Sequence, residues 1–191
     1  MRICQAIALF FFLGLACSQA PTTRYYTLNP TCPEELGTGG QVVLYIQPFR
    51  AVSPYEQDRF IYRISPYEIK FDTYRRWVAS PAQILEEAAV RFFRAQDLFA
   101  RVVTVMPAAP HVRMSVLVEG FEEIAIGDKH AAQIKLWLEL TDSSGRILLQ
   151  RQFLRQQPIA QNSVQAILDA LNQSATNLYQ DLYQEMQTAI P

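Results

Sequence analysis

Only two stretches of this chain repeat their apolar residues at the three- and four-residue steps of a helix. In the first, Ile84, Leu85, Ala88, Ala89, Phe92 and Phe93 fall on one face, with Glu86, Glu87, Arg91 and Arg94 mostly opposite. Its start is written in Ser80-Pro81-Ala82-Gln83: an N-cap serine, a proline at the first helical position and a capping-box glutamine. The second runs from Ser163 to Met186 on Val164, Ile167, Leu168, Leu171, Ala175, Leu178, Leu182 and Met186. Core packing is its expected role, with the tail at 179–183 reaching past the core. Two helices are too few to supply the crossovers of a doubly wound parallel sheet.

Most of the remainder reads as strands. Residues 24–28 and 41–47 are rich in β-formers, the second stopped by Pro48. Residues 59–64 and 67–71 alternate on either side of Ser65-Pro66, as in a hairpin. Segments 99–105 and 111–124 are strand-like, and 132–140 and 146–154 flank the turn Asp142-Ser-Ser-Gly145. The order predicts an α+β fold, a largely antiparallel sheet packed with two main helices. No Pro-, Gly- or Ser-rich linker and no internal repeat divides the chain after residue 24, so one domain is expected.

Residues 6–16 form an unbroken apolar run between Arg2 and Cys17. As a helix it would span about 16 Å, roughly half the hydrocarbon core of a bilayer. Residues 1–16 therefore read as a secretory signal with Arg2 as its positive n-region. Leu13-Gly-Leu-Ala16 before Cys17 resembles a lipobox, so Cys17 is the expected lipidation site and 17–191 the mature domain. An ordinary cleavage site, or a short inner-membrane anchor over 3–20, is the alternative reading. Ser18 after the cysteine favours the outer membrane facing the periplasm, with inner-membrane anchoring as the alternative. Acyl chains on a cysteine make an anchor rather than a span.

Without Arg2, 16 Lys and Arg face 18 Asp and Glu. That balance gives no basic surface for nucleic acid. It also makes the expected membrane attachment acyl rather than electrostatic.

Sequence gives little support for catalysis. Cys32 sits in a loop-like segment at 30–40 and, with Cys17 lipidated, is expected to be an inert or occasionally cross-linked thiol. The two histidines, His111 and His130, lie far apart, without acidic residues at metal-ligand spacing. Glu119, Glu122 and Glu123 cluster near Gly120 with no nucleophile beside them, and are expected to be exposed strand charges. Only seven glycines are present, and none forms a phosphate-binding loop. No enzyme activity, cofactor or metal is expected.

One segment does concentrate the residue types favoured at contact sites: Tyr74, Arg75, Arg76 and Trp77. Read functionally, they contact a partner or a lipid headgroup, since guanidinium forks suit phosphate. In the structural reading, Tyr74 and Trp77 cover the core edge with an arginine stacked on them.

The order of short motifs resembles that of the ABC-type transport auxiliary lipoproteins, which include the PqiC-type periplasmic lipoproteins. The residues concerned are Cys17, Tyr26-Thr-Leu28, Val43-Leu-Tyr-Ile-Gln-Pro48, Ile61-Tyr-Arg-Ile-Ser65 and Tyr74-Arg-Arg-Trp-Val78, followed by the helix. Gly14, Val78 and Ser80 depart from the pattern, and Ser80 leaves the helix better capped. The resemblance covers most of 17–175. It implies a fold similar to the N-terminal domain of TolB-type proteins. It also implies a non-enzymatic role beside an Mce-domain protein and an inner-membrane permease and ATPase, supporting lipid transport and envelope integrity. A periplasmic lipid-binding carrier or chaperone is the alternative, and self-association into a homo-oligomer is left open.

Overall fold

A computed structural model describes residues 21–32, 39–161 and 163–190. The strands are β1 (Arg24–Tyr26), β2 (Val42–Ile46), β3 (Arg50–Ala51), β4 (Arg59–Ser65), β5 (Glu68–Trp77), β6 (Phe99–Val103), β7 (Val112–Ile126), β8 (Lys129–Asp142) and β9 (Ile147–Pro158). Helix α1 (Pro81–Arg94) lies between β5 and β6, and α2 (Val164–Ala189) follows β9. All nine strands join one sheet. The fold is α+β.

Strand β7 organises this sheet. Along one edge it pairs antiparallel with β8, which pairs antiparallel with β9. Its other edge takes three parallel strands in succession: β2 at Val112–Met114, β3 at Leu117–Val118 and β4 at Glu123–Ile124. Beyond β4 stand β5, antiparallel, and then β1, parallel to β5; β6 lies parallel on the outer edge of β2. The three antiparallel ladders are the long ones, while each parallel pairing covers only a few residues.

Both helices lie on one face of the sheet. Ser80 caps α1 as its sequence predicts, its Oγ accepting from the Gln83 N–H at 3.3 Å. Ile84, Leu85, Ala88, Ala89, Phe92 and Phe93 are buried against Leu44, Ile46, Met114 and Val116 in one hydrophobic cluster. Helix α2 packs over β8 and β9 on Leu171, Ala175, Leu178, Leu182 and Met186. Its tail does not leave the core: Tyr179, Leu182 and Met186 are fully buried. The reason is a direct contact with α1. The Tyr179 ring lies 5.6 Å from Phe92, and its hydroxyl donates to the Leu85 carbonyl at 2.7 Å. Ion pairs from Arg151 to Glu185 and from Arg155 to Asp181 fasten the helix to β9.

A bulge reverses the faces of β7 part-way along. Val118 stands opposite Leu136 and Gly120 opposite Lys135, so Glu119 is extra. Before it Met114, Val116 and Val118 point to the helices; after it Phe121 does, opposite Ile134. Glu122 is thereby turned to the other face, where Tyr55 covers it.

Candidate functional site

The four candidate contact residues lie at the end of β5, where that strand is irregular. Arg59 and Ile61 stand two apart on β4, but their partners Arg76 and Phe71 stand five apart on β5. Asp72 holds the extra loop of chain. Its Oδ1 accepts from the N–H groups of Tyr74 (2.8 Å) and Arg75 (2.7 Å), and its Oδ2 from Arg75 Nε (2.6 Å). Burial disfavours the charged carboxyl, but these hydrogen bonds outweigh it and hold the Asp72 pKa below its ordinary value.

The bulge separates the fates of the four side chains. Trp77 is 2% exposed, stacked on Phe60 with centroids 3.9 Å apart and edge-on to Phe121 at 5.1 Å. It supports the segment from within the core and offers no surface to a ligand. Arg76 pairs with Asp58 at 2.9 Å. Tyr74 is 45% exposed, and Arg75 lies over the Phe60 ring at 5.6 Å.

Parallel pairing of β1 with β5 brings further residues to the same place. Arg24 stands opposite Arg75 and Tyr26 opposite Trp77, and the Val78 N–H donates to the Tyr26 carbonyl at 2.9 Å. The result is an open groove of about 710 Å³ lined by Pro21, Thr22, Arg24, Tyr26, Tyr74, Arg75 and Val164. No acidic side chain is among them. The sequence singled out Tyr74 and Arg75 but missed Arg24 and Tyr26. Some fifty residues separate the two halves, and only the strand register joins them.

The carboxylates near Gly120 are not the uniform row of exposed charges expected. Glu122 is 3% exposed. Its Oε1 accepts from Arg63 Nε (2.8 Å) and Gln133 Nε2 (3.2 Å), and its Oε2 from Tyr55 Oη (2.9 Å) and Arg63 Nη2 (3.1 Å). Burial and the neighbouring Glu122 carboxylate push the Tyr55 pKa up to about 12. The network satisfies Glu122 on every side and ties β4 to β7 and β8. Glu119 meets Lys135 (3.4 Å) and Gln152 (2.6 Å), while Glu123 lies 3.8 Å from His130.

Cys32 is half-buried, its Sγ 3.5 Å from the Pro30 carbonyl. Burial pushes its thiol pKa up despite the nearby Arg91, which lowers its nucleophilicity at neutral pH. His111 Nδ1 lies 2.9 Å from the Ala109 carbonyl. Among the described residues no three His, Cys, Asp or Glu side chains could hold a metal ion. Cys17 lies outside the described residues.

Residues 26–182 match the family described as the ABC-type transport auxiliary lipoprotein component. The chain belongs to that family. It is also similar to protein XCC0632 from Xanthomonas campestris, at 22% identity and a TM-score of 0.73, covering 88% of this chain and 96% of the other. A second crystal structure, of an uncharacterized protein, matches with a TM-score of 0.72 at 16% identity, covering 86% and 99% of the two chains. At these identities the likeness is one of fold. No curated protein matches the sequence. Membership gives the chain a role associated with ABC-type transport, in a family of auxiliary components rather than of enzymes. No helix among the described residues is long and apolar enough to cross a membrane.

Proposed function

We propose that this protein is a lipid-anchored periplasmic subunit of an ABC/Mce-type lipid transport system. It is held by Cys17 in the outer membrane, supports or docks the transporter there, and contributes to envelope integrity without catalysing a reaction. The observation that carries this reading is the family match over residues 26–182, downstream of the eleven-residue apolar run 6–16 and the Cys17 that follows it. An Mce-domain protein with an inner-membrane permease and ATPase is the partner set; the ATP chemistry belongs to those chains. The filled interior also favours docking over a carrier role. A lipid carrier needs an enclosed apolar cavity, and here Leu85, Phe93, Leu138 and Tyr179 fill the space between sheet and helices.

The decisive experiment is affinity purification of the tagged lipoprotein from crosslinked cells, alongside a gene deletion. The expected result is recovery of an Mce-domain protein and increased detergent sensitivity in the deletion strain. Recovery of no such protein, together with an intact envelope in the deletion strain, overturns the reading. Replacing Cys17 by Ala is expected to abolish palmitate incorporation and membrane retention; a membrane-retained, palmitate-labelled variant overturns the anchor.

A further inference from the structure

Two arginines standing directly opposite each other on adjacent strands repel, and such pairs are unfavourable without a counter-charge. Arg24 and Arg75 are in that position. Asp72 answers only part of the charge: it engages Arg75 through Nε, while the terminal nitrogens have no hydrogen-bond partner among the described residues. Arg24 has no ion-pair partner among the described residues.

A third source of positive potential opens on the same groove. Val164, the first residue of the 26-residue helix α2, lines it. Ser163 Oγ accepts from the Ala166 N–H and the Ser163 carbonyl from the Ile167 N–H, which leaves the N–H groups of Val164 and Gln165 free of these caps. The first turn carries no acidic residue. No acidic side chain of the first turn offsets the positive end of the helix dipole, which opens on the same groove as the two arginines. Tyr26 and Tyr74 add aromatic side chains to its lining. The bulge at Asp72 sets Tyr74 and Arg75 at this position, which a regular strand would not do.

Position identifies the anion. Pro21 lines the groove, and it lies four residues after Cys17. Four residues reach at most about 14 Å, so a chain acylated at Cys17 holds the groove within that distance of the headgroup layer. We propose that Arg24, Arg75 and the first turn of α2 form a binding site for the phosphate of an anionic phospholipid headgroup. The site's location at the bilayer rests on the acylation of Cys17; its anion chemistry does not. The acyl chains hold the protein to the membrane, and this contact sets which way the domain faces.

Native mass spectrometry of the full-length lipoprotein, released from neutral detergent, tests this. Phosphatidylglycerol, phosphatidylcholine, diacylglycerol and inorganic phosphate are added in turn. The expected result is a single phosphatidylglycerol adduct, severalfold weaker phosphatidylcholine binding and no diacylglycerol adduct. The Arg24→Gln/Arg75→Gln variant is expected to bind phosphatidylglycerol at least tenfold more weakly. Arg24→Gln alone, which leaves the Asp72–Arg75 contact in place and relieves the repulsion, is expected to weaken binding without lowering the melting temperature. Equal phosphatidylglycerol binding by wild type and double variant overturns the site. So does equal retention of diacylglycerol, while displacement of the lipid by equimolar inorganic phosphate overturns the assignment to a headgroup. The same spectra report the acyl mass on Cys17. An unacylated chain that still binds phosphatidylglycerol through the arginines keeps the site and removes the anchor; an acylated chain that binds none does the reverse.

Discussion

Arg63 meets Glu122 through two nitrogens, Nε at 2.8 Å and Nη2 at 3.1 Å, across the parallel seam between β4 and β7. The Glu122 side chain is 1% exposed and that of Arg63 27%, so the carboxylate depends on protein donors for its solvation. Removing one member leaves the others buried and unsatisfied. Glu122→Ala is expected to cost about 3 kcal/mol, measured by urea unfolding. An Arg63→Met/Glu122→Leu double variant should recover a large part of that loss, because both charges then leave together. If the single and double variants are equally destabilised, the network is not what holds this seam.

The two buried tyrosines predict a loss of stability at alkaline pH. Burial pushes the Tyr179 hydroxyl well above the usual tyrosine range and Tyr55 up to about 12. An unfolded chain releases these protons near pH 10 while the folded chain keeps them, so unfolding becomes easier as pH rises from there. The slope is about 1.4 kcal/mol per pH unit for each proton. Tyr179→Phe should reduce the slope between pH 10 and 12 by about one proton. At neutral pH it costs about 1 kcal/mol through the lost bond to Leu85. Denaturant titrations at a series of pH values give both numbers.

At the acid end the sign reverses. Hydrogen bonds to Asp72 prevail over its burial, and the Ser144 hydroxyl leads the contacts that lower Asp142 to about 2. Both carboxylates favour the folded state above their ordinary pKa, and that contribution disappears as pH falls through the folded values. Replacing both by Asn should flatten the stability profile between about pH 4 and pH 2. An unchanged profile in the double variant would show that neither turn depends on its charge.

Two glycines should respond differently to alanine. A Cβ on Gly40 would lie 2.3 Å from the Phe99 nitrogen and 2.4 Å from the Leu98 carbonyl, with only backbone to yield. Gly40→Ala is expected to cost about 3 kcal/mol. Gly127 has open space around it but a φ of +58°, so Gly127→Ala carries only the left-handed penalty of about 1 kcal/mol. Thermal unfolding of the two variants, side by side, separates crowding from backbone strain.

How far the fold can be read from the sequence depends on how local its causes are. The Ser80 cap, the face from Ile84 to Phe93 and the turn at Asp142–Gly145 are short-range patterns, and each stands in the structure as its residues predict. Parallel pairings of β2, β3 and β4 with β7 have no short-range signature, because the paired residues lie some sixty to seventy positions apart. Strand β5 runs on to Trp77, although Asp72-Thr-Tyr-Arg-Arg has no apolar alternation; the Asp72 bulge and pairing with β1 and β4 keep it extended. Glu122 misled for the same reason. Its burial follows from the bulge at Glu119 and from Arg63, neither of which its immediate neighbours announce. In the candidate site, Tyr74 and Arg75 were legible as residue types, whereas Trp77 turned inward and Arg24 arrived through the register.

The placing of β7 also has a consequence in time. β2, β3 and β4 precede it in the chain, yet all three hydrogen-bond to it. The meander β7–β8–β9, by contrast, closes through short turns at Gly127 and Gly145. Local closure is fast, and distant closure waits on the entropy of the intervening chain. A chain delivered N-terminus first therefore carries the open edges of its early strands until residue 126 has emerged. Over that interval those strands, rather than the long hairpins, are the part of the protein most exposed to misassembly.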